Sequence, residues 1–219
     1  MVSGEIALRR ELIETARHAE DIGLVIYSQG NFSLKLPHSG SILITPTGIP
    51  YRRLEPDDLV VLDLDGNKLS GKYEPSSETP VHLLAYQQMP DIGGAVHIEP
   101  PYINALAAVN LNPPPILGNF VYLFGGKGLA MVESIRSGNA AFARATMEAM
   151  QDHFGVIWKN HGIFCVGSSL ELAYRRSWAA EQAAKVYYLS RALGKCDPEM
   201  ISGPVQEEMI DMARNWGWI

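Results

Sequence analysis

Along this chain the spacing of apolar residues switches several times between a period near 3.6 and a period of 2. Ile6, Leu12, Ile13, Ala16 and Ala19 recur at helical spacing with Arg9, Arg10, Glu14 and Arg17 between them, which predicts an amphipathic helix from about Gly4 to a stop at Gly23. Phe32, Leu34 and Leu36 then alternate with Ser33 and Lys35, the pattern of a half-buried strand. Pro37–Gly40 carries turn chemistry, and Ser41–Thr45 reads as the return strand of a hairpin. Leu59–Leu64 predicts a third strand, followed by an Asp65-Gly66-Asn67 turn and a short return strand. Thr79 is placed as the cap of the next helix, with Pro80 at its first position and Pro90 at its end.

Gly93–Glu99 predicts another strand, and Pro101 opens a helix through Val109. Residues 113–128, PPPILGNFVYLFGGKG, read as irregular to extended, and residues 138–152 as a helix. GVIWKNHGIFCVG, from Gly155, predicts two short strands around Asn160-His161-Gly162. Ser168 and Glu171 form an S-x-x-E capping box ahead of a long helix at about 169–193, and a short helix is expected at about 204–214. Helices at both ends of a strand-rich middle predict an α/β or α+β class with one main sheet.

Composition narrows the class further. With 219 residues, 47% hydrophobic and 19% charged, the chain is read as one well-cored domain, residues 1–219. A net charge of -6 without a Lys/Arg run excludes nucleic acid as the expected partner. Two cysteines, Cys165 and Cys196, make neither a zinc-finger spacing nor a disulfide framework. The N-terminal MVSGEIALRRELIE is charged where a signal peptide needs an apolar run, and no stretch approaches the ~20 apolar residues of a membrane span. A cytoplasmic protein with no membrane partner is therefore expected.

Three stretches carry chemistry. In Val96-His97-Ile98-Glu99 the His97 and Glu99 side chains share one face of a strand, and His161 lies in a turn from which it can converge on them. Two histidines and a carboxylate make an open metal set, although a histidine in an apolar strand is also a common core residue. In SSETPVH, Glu78 and His82 lie one turn apart beside Ser76 and Ser77 at a helix N-terminus, which suits an anion but equally suits a cap. GNFS and TPTG pair glycines that permit close backbone approach, Gly30 and Gly48, with the uncharged polar groups of Asn31, Thr45 and Thr47. GGKG at 125–128 lacks the G-x-x-x-x-G-K-[ST] pattern and reads as a turn.

Taken together and in order, GNFSLKL, ILITPTGIPY, GKYEPSSETPVHLLAYQQMPDIGGAVHIEP and NHGIFCVG resemble the class II aldolase/adducin family, over most of the chain up to about residue 195. The resemblance implies a single-domain α/β fold with a central, mostly antiparallel β-sheet flanked by helices in three layers, α/β/α. It implies a metal-dependent lyase that cleaves a ketose 1-phosphate to dihydroxyacetone phosphate and an aldehyde through a metal-stabilised enediolate. The family's phosphate pocket maps onto Ser28, Gly30, Asn31, Thr47, Gly48, Ser76 and Ser77, and its acid/base onto Glu78. Its metal site maps onto His97 and His161, with Glu99 standing where the family has a second histidine of a His-x-His pair.

One divalent metal ion per subunit is implied, zinc first; the carboxylate also admits manganese, iron(II) or cobalt(II). Asn119 falls near the place of an aldolase tyrosine, with Tyr122 close by, and NWGWI offers Trp216 and Trp218 where the aldolase has a C-terminal tyrosine. A phosphorylated small-molecule substrate and a homotetramer with interfacial active sites are implied as well. The family also contains decarboxylases, epimerases and dehydratases, and non-catalytic adducin-like binding modules.

Overall fold

The structure, a computed structural model, describes residues 3–37, 39–194 and 197–219; Cys196 and the His38 position of the predicted Pro37–Gly40 turn lie outside them. The first helix, α1 (Ser3–Asp21), buries Leu12, Ile13, Ala16 and Ala19, the stripe its spacing predicts. It leads to β1 (Asn31–Lys35) and β2 (Ile42–Ile44), an antiparallel pair in which Ser33 faces Ile44. Next come β3 (Val60–Leu62) and β4 (Lys68–Ser70), again antiparallel. α2 (Thr79–Gln88), β5 (Gly94–Ile98) and α3 (Pro101–Ala107) follow. The remaining elements are α4 (Gly118–Phe124), β6 (Ala130–Val132), α5 (Ala140–Met150), β7 (Gly155–Trp158), β8 (Gly162–Gly167), α6 (Leu170–Ala192) and α7 (Gly203–Asn215).

All eight strands join one sheet in the order β4-β3-β2-β1-β5-β8-β7-β6. Only the β6–β7 pair among the described residues is parallel, so the sheet is mostly antiparallel, as the family resemblance implies. Strand alternation sorts side chains into two cores. Phe32, Leu34, Leu43, Val96, Ile98, Ile163 and Cys165 pack on one face with α1, α3, α4 and α6. Ile42, Ile44, Ala95, Val156, Trp158, Phe164 and Val166 pack on the other with α2 and α5. The three layers are therefore helices, sheet and helices.

Local differences from the expected elements have physical causes. Residues 113–128 are not irregular to extended throughout: Gly118–Phe124 forms α4, closed by Gly125 in the left-handed region at φ 60°. GNFVYLF is rich in strand-favouring residues, but burial of Phe120, Val121, Leu123 and Phe124 decides for the helix. The long helix is capped by Ser169, whose hydroxyl accepts the Leu172 N–H, rather than by Ser168. Thr79 is the first residue of α2 rather than its cap; Glu78 occupies the cap position and Thr79 donates its hydroxyl to the Ser76 carbonyl. The short β6 has no expected counterpart and gains its place by pairing with β7. No helix among the described residues is long and apolar enough to cross a membrane.

Candidate metal centre and active site

The site is built on the α2/α5 face of the sheet, where β1 and β5 run side by side. Register places Asn31 opposite His97 and Ser33 opposite Ala95. Because Val96 and Ile98 go to the opposite core, His97 turns toward α2 and α5 against Trp158, with ring centroids 4.6 Å apart. Glu99 leaves the end of the strand on the same side, 3.8 Å from the His97 ring. The β7–β8 turn brings in His161 through Asn160, which is held at φ 59°.

Gly162 makes this approach possible. A Cβ there would lie 2.3 Å from the Ile98 carbonyl oxygen and 2.9 Å from the His97 ring. Gly162→Ala is therefore expected to lower the melting temperature by the equivalent of ~1–3 kcal/mol and to weaken metal uptake, measured together on one preparation. Gly30, at φ 73°, has the same function below the strand, where a Cβ would meet the His97 carbonyl oxygen at 2.5 Å.

α2 supplies the centre of the site. At the start of that helix, Glu78 is buried and reaches between both imidazoles, with Oε2 3.4 Å from His97 Nε2 and Oε1 3.2 Å from His161 Nε2. Glu78, His97 and His161 offer ligand atoms all within 4.8 Å of one another, and Glu99 lies 3.8 Å from each histidine. Two histidines and Glu78 thus converge on one point, and Glu99 stands beside the histidines outside that set.

His97 is oriented for a metal. Its Nδ1 donates to the Ile163 carbonyl at 3.0 Å, which leaves Nε2 as the lone-pair nitrogen facing the site. That nitrogen is buried and has no hydrogen-bond partner. An orphaned acceptor costs free energy unless something occupies the space before it, and a divalent cation fits that need and the donor set.

The charges couple as such proximity requires. Burial pushes Glu78 up, but His97, the Asn31 N–H, His161 and the Ser137 hydroxyl together outweigh it and hold the carboxyl below its ordinary value. Burial opposes protonation of His97, yet the charge of Glu78, the contact with Glu99 and the Ile163 carbonyl shift it upward overall. His161 is pushed down, first by burial and then by His97.

A second buried carboxylate supports the site from behind. Glu181 of α6 accepts the Tyr102 and Ile103 N–H groups at 3.0 and 2.9 Å and so fixes the start of α3, immediately after Glu99 and Pro100. Burial pushes Glu181 up to about 7 against these two bonds. Between about pH 4.5 and 7 the folded chain therefore keeps a proton that the unfolded chain has released, and this group's contribution to stability falls as pH rises through that window. Melting temperatures from pH 4.5 to 8 should show that downward contribution in the wild type and its absence in Glu181→Gln.

The residues mapped to a phosphate pocket differ in exposure and in their partners. Ser28 is partly exposed, and Thr47, Gly48 and Ser77 are exposed. Ser76 is buried, with its hydroxyl accepting the Glu78 N–H at 3.3 Å. Asn31 is already engaged: its Nδ2 donates to Glu78 at 2.8 Å. A cavity of about 210 Å³ opens beside His161, lined by Ser134, Ile135, Ser137, Phe142 and Trp158 among others.

A family model described as "Class II Aldolase and Adducin N-terminal domain" matches residues 10–188. The chain belongs to the class II aldolase and adducin family. It is an enzyme of the class II aldolase type, a group that uses a divalent metal. It is 27% identical to a 5-deoxy-D-ribulose 1-phosphate aldolase of Bacillus thuringiensis serovar kurstaki over 95% of this chain and 94% of the relative. It is 29% identical to a 5-methylthioribulose-1-phosphate/5-deoxyribulose-1-phosphate aldolase of Rhodospirillum rubrum over 99% of this chain and 96% of the relative. A solved structure of L-fuculose 1-phosphate aldolase superimposes with a TM-score of 0.87, at 28% identity, covering 98% of both chains.

Two features of this family member were not read from the sequence. Ser137, on the loop before α5, reaches Glu78. Ser33 and Tyr86 form a buried polar chain with His82 and Asn31. The i,i+4 spacing of Glu78, His82 and Tyr86 puts all three on one face of α2, a periodicity visible in the sequence. At the C-terminal end, Tyr122 packs against Trp216 and Trp218 at centroid distances of 5.4 and 6.4 Å, while Asn119 is exposed.

Proposed function

We propose that this protein cleaves a ketose 1-phosphate, of the 5-deoxyribulose or fuculose 1-phosphate kind, to dihydroxyacetone phosphate and a short aldehyde. The observation that carries this reading is the convergence of Glu78, His97 and His161, with Glu99 beside both histidines and the buried His97 Nε2 left unpartnered. The aldolase names of relatives over nearly the whole chain support it. His97, Glu99 and His161 hold the divalent metal, zinc foremost. When bound, the cation supplies Lewis-acid stabilisation of the oxygen charge that develops as the carbon–carbon bond breaks.

The chain's own groups do the rest. Neutral donors of Ser28, Gly30, Asn31, Thr47, Gly48, Ser76 and Ser77 receive the phosphate and place the ketose carbons over Glu78. In cleavage the C4 hydroxyl gives up its proton as the C3–C4 bond breaks and the aldehyde forms, and Glu78, having taken up a proton, passes it to C3 of the three-carbon fragment; in the reverse direction Glu78 removes it. Its depressed pKa keeps it ionised, ready as a base for the reverse reaction. Assembly as a homotetramer with interfacial sites belongs to the same proposal, supported by Trp178, Tyr188 and Leu189, which α6 leaves exposed.

Product analysis on a panel of ketose 1-phosphates and β-keto acids tests this reading. Dihydroxyacetone phosphate and aldehyde in equal amounts are expected from at least one ketose 1-phosphate. Carbon dioxide, a dehydrated product or an epimer with no dihydroxyacetone phosphate would replace the aldolase reading by another reaction of the family.

A further inference from the structure

Behind Glu78 runs a chain of buried polar side chains between α2 and β1. Asn31 Nδ2 lies 2.8 Å from Glu78 Oε2, and His82 Nε2 lies 2.6 Å from Asn31 Oδ1. Ser33 Oγ is 2.6 Å from His82 Nδ1 and 2.9 Å from the Tyr86 hydroxyl. All five residues are buried, His82 and Ser33 completely. The Phe164 ring meets His82 edge-on at 5.1 Å and holds the imidazole plane.

The placement of the Asn31 amide sets the direction of every bond. Its Nδ2 faces Glu78 and its Oδ1 faces His82, so Asn31 donates to the carboxylate and accepts through its oxygen. His82 must then be a donor at Nε2. Burial pushes His82 down to about 3, so its ring is neutral, and a neutral ring that donates at Nε2 accepts at Nδ1. Ser33 thus donates to His82, and Tyr86 donates to Ser33. The chain points one way, from Tyr86 toward Glu78.

We propose that His82 is a positioning residue, whose Nε2–H locks the Asn31 amide with its NH₂ toward Glu78 and thereby fixes the carboxylate for proton transfer. The two ends of an amide have nearly the same shape, so packing alone does not choose between them. Without the His82 donor, the Asn31 oxygen loses its partner and the amide is held at one end only, so Glu78 loses its fixed place. This inference rests on the acid/base reading of Glu78.

The test follows exchange of the C3 hydrogens of dihydroxyacetone phosphate with deuterated solvent by NMR, using the metal-loaded protein. His82→Phe should slow exchange about 10–100-fold, the range seen when a group behind a site residue is removed. Its metal content should stay at the wild-type level, and in the full reaction kcat should fall while KM holds. His82→Gln, whose amide both donates and accepts, should restore most of the rate. Nitrogen-15 spectra should show the wild-type His82 ring protonated at Nε2 alone, a readout that needs no variant to fold.

A His82 ring protonated at Nδ1, or a folded His82→Phe that exchanges at the wild-type rate while Glu78→Gln does not, would overturn the role of His82. Normal exchange in Glu78→Gln would instead remove the acid/base reading beneath it.

Discussion

Glu78→Gln is expected to lower kcat for ketose 1-phosphate cleavage by about 10²–10⁴-fold, the usual worth of a positioned acid/base, and to leave bound metal unchanged. Glutamine keeps the shape and one acceptor oxygen, so Asn31 still has a partner and the start of α2 is not disturbed. It cannot carry a proton to carbon. Steady-state kinetics and elemental analysis on the same sample separate the two effects. Turnover near wild type would remove Glu78 from the chemistry.

Glu99→Ala is expected to act in the opposite way, by emptying the site. Removing one of three protein ligands should weaken metal binding at least as much as disturbing an outer partner does, about 100-fold or more. Distance alone does not favour Glu99: its oxygen stands 3.8 Å from each histidine, whereas Glu78 stands at 3.2 and 3.4 Å. Chemistry separates them. Glu78 is fastened from behind by Asn31 at 2.8 Å, while Glu99 is partly exposed at the end of its strand, beside both histidines. Metal per chain, measured against a chelator of known affinity, decides between them. A Glu99→Ala protein that holds metal as the wild type does would make Glu78 the ligand, and proton transfer would then need another group.

Much of this was legible in the sequence, and the rest failed for particular reasons. The strands at Phe32–Leu36 and Gly93–Glu99 announced themselves by alternation, because Phe32, Leu34, Val96 and Ile98 enter one apolar core while Asn31, Ser33 and His97 face the polar groups of α2 and Glu78. That same alternation placed His97 and Glu99 on one face before any geometry was known. α4 was missed because GNFVYLF has no polar stripe and little helix preference, and its helical form depends on partners distant in sequence.

The Ser168/Ser169 cap was misplaced by one residue because adjacent serines offer the same hydroxyl, and only the backbone at Ser169 suits the role. Asn31 and Ser33 alternate along β1, and His82 and Tyr86 recur along α2, so each half of the polar chain is periodic in sequence. That the halves interlock depends on the register of α2 over the sheet, which local pattern does not encode. The insertion of Glu78 between two imidazoles depends on it too.

The most direct measurement is release of dihydroxyacetone phosphate from 5-deoxyribulose 1-phosphate by one preparation in three states: as purified, stripped with chelator, and reloaded with zinc or manganese. A metal-dependent aldolase centred on His97, Glu99 and His161 predicts release that disappears on stripping and returns on reloading, with an equal amount of acetaldehyde. Cleavage that continues at full rate in the stripped protein would contradict a metal-dependent centre. No cleavage of this or any related ketose 1-phosphate in the reloaded protein would contradict the aldolase reaction itself.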